Sequence, residues 1–246
     1  MKYILAEACQ NTFLLFDCLD ASHIDLAEAH RSLVLEDRDD ALILVGGKGE
    51  GDAFTARMIV LGHDGALGEF CGNGARSCAA YLFAHYPQYA RFFLETKWGK
   101  HELLQHGEGI YSVKLPSARF EQNSHFMTAA LDSFSYVEMI EPHLTFHGKL
   151  SDKELFSMGQ ELNAKRDIFP LGINVNAWHE LEEGVLSVKT YERGVQRLTR
   201  SCGTGSLACA ASYQSSGLVK VMTPGGQLET FIQGDGVVLK GPARFC

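Results

Sequence analysis

The stretch CGNGARSCAA at residues 71–80 occurs a second time, as CGTGSLACAA at residues 202–211. Both copies keep the frame Cys-Gly-x-Gly-x-x-x-Cys-Ala-Ala without a gap. A single cysteine beside glycines usually packs as a small buried residue in a tight turn. Two copies in register indicate a duplicated module instead.

The similarity between the two copies extends downstream of the cysteines. Residues 102–120 read ELLQHGEGIYSVKLPSARF, and residues 230–245 read TFIQGDGVVLKGPARF. Each segment predicts a strand, a Gly-acid-Gly turn of the kind that joins hairpin strands, a second strand and an Ala-Arg-Phe exit. We therefore predict two homologous halves, residues 1–120 carrying Cys71 and residues 121–246 carrying Cys202. The last few residues are candidates to cross back to the first half.

Length and composition restrict the class of protein. A chain of 246 residues with 46% apolar content can bury one large core or two of ordinary size, and the repeat favours two. The net charge of -8 and the scattered Lys and Arg residues disfavour nucleic acids and anionic membranes as partners. We expect a cytoplasmic protein, because no stretch is apolar enough for a signal peptide or a membrane span. The seven cysteines are odd in number and lack a Cys-x-x-Cys pair, which predicts reduced thiols.

The apolar pattern predicts alternating strands and helices. In the first half it predicts strands over residues 2–19 around a break at 10–12, a helix over 25–35, a strand over 41–45 that ends at Gly46-Gly47, and a strand over 54–61. Residues 122–133 are polar enough to connect the halves. The second half predicts a helix over 151–162, with Ser151 as N-cap and Glu154 as its capping-box partner. Its predicted strands are 134–140, 172–178, 185–191, 218–221, 228–233 and 237–240.

Each Cys-Gly-x-Gly element opens a predicted helix that is buried on most sides, since few charges follow it. Gly72 and Gly74 are expected to let the backbone turn tightly there. The unpaired N–H groups of a first helical turn, at the positive end of the helix dipole, form a seat for a carboxylate. The second copy offers the same seat at residues 203–205.

The position of the cysteines predicts acid–base chemistry. A helix N-terminus lowers the pKa of a thiol from about 8.5 toward neutrality, so Cys71 and Cys202 are candidate acids or bases. Cys78 and Cys209 lie two turns into apolar helices and are predicted to pack. If the halves face each other, a thiolate of one cysteine would remove the α-proton of a bound substrate, and the thiol of the other would supply a proton from the opposite side. The pair would titrate as a unit, and the helix dipoles would stabilise charge on the substrate carboxylate.

Five motifs together resemble the diaminopimelate epimerase family, which are amino-acid epimerases independent of pyridoxal phosphate. The motifs lie at residues 71–76, 169–176, 191–195, 202–205 and 224–226, and the resemblance spans nearly the whole chain. It implies an α/β fold of the α+β type, with two pseudo-symmetric domains, each a mostly antiparallel sheet wrapped around a central helix. It also implies an active site in the interdomain cleft, a homodimer, and no cofactor or metal.

The resemblance further implies roles for individual residues. Catalysis falls to Cys71 and Cys202, assisted by His143 and Glu192. Substrate binding falls to Asn11, Gly72, Asn73, Asn174, Glu192, Arg193, Gly203 and Thr204. On its own, His143 would be interpreted as a satisfied histidine, and a metal site with His147 lacks the expected Glu and third ligand.

Several positions depart from the family pattern. Gly62 begins a Gly-His-Asp-Gly stretch where the family has Asn-Ala-Asp-Gly, and Glu141 replaces the Asn of an Asn-Pro-His motif. Ala41 falls where the family carries Gln, and Leu198 where it carries Glu. Most of these changes concern the site for the non-reacting end of diaminopimelate. They therefore bear on the substrate more than on the reaction.

Four hypotheses follow from the sequence. The leading one is a two-base epimerase that converts LL- to meso-diaminopimelate, a precursor of lysine and peptidoglycan. The second is a racemase of another amino acid, such as a basic one, because Glu141 adds negative charge. The third is a catalytically silent amino-acid-binding protein, against which the retained cysteines, Glu192 and His143 argue. The fourth, a redox dithiol protein, is disfavoured by the lack of a Cys-x-x-Cys pair.

Overall fold

The computed structural model describes residues 1–21, 23–120, 134–234 and 236–245. The chain divides into two compact units, Met1–Leu115 with Lys240–Cys246, and Pro116–Leu239. The sequence analysis placed the border between residues 120 and 121. In the structure the border follows Leu115, and the return to the first unit begins at Lys240. The predicted connection over 122–133 lies outside the described residues.

The first unit combines a sheet with an outer helix and a buried helix. Its elements are β1 (Ile4–Ala8), β2 (Asn11–Cys18), α1 (Leu26–Glu36), β3 (Asp40–Glu50), β4 (Ala53–Gly62), β5 (Leu67–Gly68), α2 (Gly72–His85), β6 (Arg91–Thr96), β7 (Gly99–Gln105) and β8 (Ile110–Pro116).

The second unit repeats this order after one additional two-residue strand. Its elements are β9 (Arg119–Phe120), β10 (Phe134–Met139), β11 (Glu141–His147), α3 (Asp152–Ala164), β12 (Asn174–Glu182), β13 (Val185–Glu192), β14 (Arg197–Thr199), α4 (Gly203–Tyr213), β15 (Gly217–Thr223), β16 (Gly226–Gln233) and β17 (Gly236–Pro242), followed by β18 (Arg244–Phe245), which belongs to the first unit.

The strand pairing is the same in both units. In the first unit β1–β2 and β3–β4 are antiparallel pairs, while β2–β3 and β4–β6 are parallel. In the second unit β10–β11 and β12–β13 are antiparallel, while β11–β12 and β13–β15 are parallel. The α+β class and the internal duplication predicted from the sequence are therefore confirmed.

Each sheet is completed by a two-residue strand from the other sequence repeat. β9 follows β8 along the chain but pairs antiparallel with β10, so that Arg119 lies opposite Glu138. β18 follows β17 and pairs antiparallel with β1, where Arg244 lies opposite Glu7 and donates to its carboxylate at 3.0 Å. The Ala-Arg-Phe exits of the two repeats thus have equivalent places in the fold.

An outer helix covers one face of each sheet. Ala29 and Leu33 of α1 pack with Ile43 and other buried residues of β2 to β4. Leu155 and Leu162 of α3 pack in the same way against strands of the second unit. The α3 N-cap forms as predicted, since Ser151 accepts from the Glu154 N–H and the Glu154 carboxylate accepts from the Ser151 N–H.

The other face of each sheet holds the buried helix, α2 or α4. Residues 72–82 of α2 and 203–210 of α4 are buried, which confirms the prediction made from their composition. Central strands such as β3 lie between two helices, so their apolar residues form nearly continuous runs. Within the described ranges, no helix is long and apolar enough to cross a membrane.

One predicted strand end was wrong, and β11 was among the strands that were not predicted. β3 does not end at Gly46-Gly47 but continues to Glu50, with a register shift between Val45 and Lys48. Gly46 adopts φ +62°, which glycine tolerates. The Gly46-Gly47 pair therefore accommodates the register shift within β3 instead of ending the strand. β11 was not predicted, because proline is disfavoured inside strands and Pro142 is its second residue.

We predict that Gly205→Ala destabilises the protein by about 1–3 kcal/mol, because α4 packs too closely on β12 for a methyl group. A Cβ on Gly205 would lie 2.3 Å from Asn176 Oδ1. That side chain is anchored, since Asn176 Nδ2 donates to the Leu144 carbonyl at 3.0 Å. Urea unfolding measures the loss. Gly194→Ala is the control, because a Cβ added at Gly194 would have no atom within 4 Å. An equal loss of unfolding free energy in both variants would contradict the packing argument.

Candidate active site

Cys71 and Cys202 are the N-caps of the two buried helices. Cys71 Sγ accepts the N–H of Gly74 at 3.2 Å, and Cys202 Sγ accepts the N–H of Gly205 at 3.4 Å. Both cysteines have extended backbone, as N-cap residues do. The duplicated motif therefore places a sulfur atom at the same position in each unit, at the positive end of a helix dipole.

The glycines that follow the cysteines have a different role from the one predicted. Gly72 and Gly74 do not turn the chain with a positive φ, because both lie inside α2. A Cβ on Gly74 would lie 2.6 Å from Leu42 Cδ2 and 3.3 Å from Cys71 Sγ. Glycine is required here because the helix start, its capping sulfur and β3 meet without room for a side chain.

Polar side chains of the first unit form a chain beside Cys71. Asn73 Nδ2 donates to Asn11 Oδ1 at 3.0 Å, so the first unit brings these two predicted binding residues together. Arg76 Nη2 donates to Asn73 Oδ1 at 2.9 Å and lies 3.5 Å from Cys9 Sγ. The orientation of Asn73 is therefore fixed from both sides.

Arg76 is a fully buried cation that the sequence analysis did not assign to the site. Its Nε and Nη1 atoms make no hydrogen bond to the described part of the chain. Burial lowers the pKa of Arg76, while the nearby Cys9 and Cys71 sulfurs act in the opposite direction. An arginine inside an otherwise apolar helix was the available signal, since the second repeat has Leu207 at the matching position.

Cys202 has the opposite electrostatic surroundings. Burial raises the pKa of its thiol well above the ordinary value, and the Glu192 and Glu141 carboxylates raise it further. The Thr204 hydroxyl, 3.6 Å from the sulfur, and the Gly205 N–H act the other way but are outweighed. The expectation that the helix N-terminus lowers this pKa toward neutrality was therefore wrong, because desolvation is the larger effect.

His143 is fully buried in the sheet of the second unit. Asn176 Nδ2 lies 3.2 Å from His143 Nδ1 and 3.0 Å from the Leu144 carbonyl oxygen. Since Asn176 Nδ2 donates, Nδ1 accepts and the neutral ring carries its proton on Nε2. Nε2 has no hydrogen-bond partner within the described ranges. Burial, followed by the charge of Arg193, lowers the pKa of His143 to about 3, so the ring is neutral at physiological pH.

Glu141 contacts two residues that the resemblance assigned to substrate binding. Its Oε2 atom accepts from Asn174 Nδ2 at 3.2 Å, and its Oε1 atom lies 3.7 Å from Arg193 Nη2. Asn174 Oδ1 in turn accepts the Arg193 N–H at 3.0 Å. Beside this cluster, Glu192 accepts a hydrogen bond from the Thr199 hydroxyl.

The face of the sheet that packs on the buried helix carries more polar residues in the second unit than in the first. β11 and β12 place Thr145 beside Asn176, whereas β2 and β3 place Leu15 beside Leu42 at the matching register. The polar row of the second unit comprises Glu141, His143, Thr145, Asn174, Asn176, Thr190 and Glu192. Sequence analysis missed Asn176 and Thr190, although polar residues at every second position of buried strands were the signal.

The predicted residues thus form one set in each unit. The first unit brings together Cys71, Gly72, Asn73 and Asn11. The second unit places His143, Asn174, Glu192 and Arg193 on neighbouring strands and their ends, and Cys202, Gly203 and Thr204 at the start of α4. Among the residues that the structure describes, no cluster of three or more His, Cys, Asp or Glu side chains is arranged to hold a metal ion.

The sequence relatives of this chain include several diaminopimelate epimerases. The family model for diaminopimelate epimerase matches residues 136–246. The diaminopimelate epimerase of Corynebacterium aurimucosum is 34% identical over 203 residues, covering 74% of this chain and 69% of the relative. That of Methanothrix thermoacetophila is 29% identical over 266 residues, covering 99% of this chain and 93% of the relative.

Solved structures share the fold at much lower identity. A phenazine biosynthesis protein of the PhzF family from Bacillus anthracis gives a TM-score of 0.70 at 13% identity, covering 100% of this chain and 97% of that chain. A predicted epimerase from Pseudomonas aeruginosa gives a TM-score of 0.69 at 14% identity, covering 99% and 96%. At such identities the likeness concerns the fold alone.

We predict that His143 makes the protein less stable as the pH falls. The unfolded chain takes up a proton near pH 6.5, whereas folded His143 does so only near pH 3. The stability that the neutral ring confers is therefore fully present above pH 6.5. As the pH falls from 6.5 to about 3, this stability is lost at about 1.4 kcal/mol per pH unit. His143→Gln should flatten the dependence between pH 4 and 6 by about that slope. Urea unfolding at each pH measures it.

The matched control for this experiment is His23→Gln, which removes an exposed histidine of the first unit. It should leave the pH dependence as in the wild type. Equal slopes for the wild type and His143→Gln, or an NMR titration of His143 near its ordinary pKa, would contradict the assignment of a buried neutral ring.

Proposed function

The chain belongs to the diaminopimelate epimerase family, and from this we propose that it is an isomerase that inverts the α-carbon of an amino acid with two cysteines. The observation that carries the proposal is the equivalent placement of Cys71 and Cys202, each the N-cap of a buried helix. In this reaction one group removes the α-proton and another supplies a proton on the opposite face. A duplicated fold supplies two such groups of the same kind.

The substrate carboxylate is proposed to bind at the first turns of the two helices. The assigned N–H groups are those of Gly72 and Asn73 in α2, and of Gly203 and Thr204 in α4. Backbone N–H groups at a helix N-terminus favour an anion, and they favour it more as negative charge builds up during loss of the α-proton. This stabilisation supports abstraction of a weakly acidic proton without a bound cofactor.

The charges around the two sulfurs support opposite starting states. The buried Arg76 guanidinium favours a thiolate at Cys71, since the two groups interact. Burial and the Glu192 and Glu141 carboxylates keep Cys202 as a thiol, because each of them raises its pKa. In the proposed cycle the Cys71 thiolate takes the α-proton, and the Cys202 thiol gives its proton to the other face of the carbon. The reverse direction exchanges these roles.

Glu192 and His143 are proposed to assist Cys202. The Glu192 carboxylate favours the protonated form of this sulfur and is positioned by the hydroxyl of Thr199. Neutral His143 can only offer a hydrogen bond from Nε2, because its depressed pKa prevents it from serving as a cation. These roles make both residues aids to proton delivery rather than bases that attack the substrate.

Diaminopimelate is the first substrate to test, because the sequence relatives carry the name of its epimerase. A second candidate, a basic amino acid, is favoured by the carboxylate of Glu141 beside Arg193. Both candidates require the same chemistry at the α-carbon. Incubation with a panel of amino acids in deuterium oxide, followed by NMR of α-proton exchange, tests the reaction independently of the substrate.

We predict that Cys71→Ala and Cys202→Ala each reduce inversion by at least about 10²-fold, since each removes the acid–base group on one face. Circular dichroism should show that both variants remain folded. Inversion is measured by chiral chromatography of the product. The matched controls are Cys78→Ala and Cys209→Ala, which alter the second, fully buried cysteine of each repeat and should retain inversion. Substantial inversion by either single N-cap variant would refute the two-base mechanism.

A further inference from the structure

Glu141 occupies two donors of the second unit, the Asn174 amide and the Arg193 guanidinium, which the family resemblance assigns to substrate binding. Asn174 Nδ2 donates to its Oε2 atom at 3.2 Å, and the Arg193 guanidinium lies 3.7 Å from its Oε1 atom. An amide N–H and a guanidinium that converge on one point are a usual recognition site for a carboxylate. Here the protein itself provides that carboxylate.

The cluster is largely shielded from water. The side chains of Arg193 and Glu141 are only 13% and 18% exposed. The carboxylate also lies close enough to the candidate reaction centre to influence the Cys202 thiol. Charges at such a site are screened less than charges on the surface, so Glu141 affects the binding of any charged group nearby.

The fold does not require a carboxylate at this position. β2 begins with Asn11, opposite Ala8 of β1, and β11 begins with Glu141, opposite Met139 of β10. The second strand of the equivalent hairpin therefore begins with a neutral amide in the first unit and with an acid in the second. The side-chain amide of Asn11 accepts a hydrogen bond from Asn73 and is itself uncharged. The structural role of the position can be filled without the charge that Glu141 brings.

We infer that Glu141 determines specificity for the substrate side chain, and that the protein prefers amino acids whose side chain ends in a cation without a carboxylate over diaminopimelate, whose distal end carries both. The inference rests on the epimerase function proposed above. A substrate ammonium or guanidinium can bind Glu141 in addition to its present contacts, because a carboxylate accepts up to about four hydrogen bonds. A substrate carboxylate would have to displace Glu141 from Asn174 and Arg193 or be repelled by it.

The experiment compares kcat/KM for lysine, ornithine and arginine with kcat/KM for diaminopimelate, in the wild type and in Glu141→Asn. The wild type should favour a basic amino acid. Glu141→Asn should raise kcat/KM for diaminopimelate by about 10- to 100-fold, the value of one charge-assisted hydrogen bond, and lower it for the basic amino acid by about tenfold. A structural defect alone would lower both values and leave their ratio unchanged.

Glu182→Gln is the control, because it removes an exposed carboxylate of β12 and should leave the ratio as in the wild type. If Glu141→Asn does not fold, Glu141→Gln provides a second variant, which keeps the size of the side chain and removes only its charge. It should shift the same ratio in the same direction.

The outcomes separate this inference from the proposed function. Absence of α-proton exchange with every amino acid tested would overturn the epimerase proposal itself. A wild type that prefers diaminopimelate, or variants of Glu141 that leave the substrate ratio unchanged, would overturn the specificity role while the epimerase proposal stands.

Discussion

The site depends on one hydrogen bond made twice, from a backbone N–H in the first helical turn to a cysteine sulfur. Gly74 donates to Cys71, and Gly205 donates to Cys202, so the bond that begins each buried helix also fixes the position of a sulfur atom that we propose to be reactive. Because an N-cap side chain must reach back over the first turn, the residue three positions later has to sit close to it. That constraint explains the second glycine of each motif, whose Cβ would press against the sulfur and against a neighbouring strand. The same cysteine and glycine atoms therefore determine both the packing of each buried helix and the position of its N-cap sulfur.

Duplication preserved this bond while the surroundings diverged. Beneath Cys71 lies the cation of Arg76, where the second repeat has Leu207. Around Cys202 lie carboxylates, and the strands behind α4 carry Asn176 where the first unit has Leu42. A pair of identical thiols in identical environments would share one protonation state. The unlike neighbours favour a thiolate at Cys71 and a thiol at Cys202, as the proposed reaction requires, because it starts with one base and one acid.

Much of the fold was predictable, because the signals were local. The repeated motif gave the duplication, apolar composition gave the buried helices, and Ser151 with Glu154 gave the start of α3. The error about the Cys202 pKa concerns an effect that no single segment contains. The raised pKa of Cys202 comes from burial and from Glu192 and Glu141, which lie on other strands, so a rule based on the helix end alone gave the wrong sign. The role of Arg76 emerged only when its depth in the first unit was known.

The proposed reaction and the proposed specificity depend on different parts of the fold. The two N-cap sulfurs sit at helix starts, where a change of backbone would break the cap and the packing of a buried helix. Glu141 begins β11, Asn174 begins β12, and Arg193 follows β13, so the side-chain cluster is built at strand ends. The matching strand of the first unit begins with Asn11 and pairs with its neighbour in the same way, so this pairing does not depend on the charge of Glu141. The cysteine caps can therefore be kept while the charge at the proposed side-chain site changes.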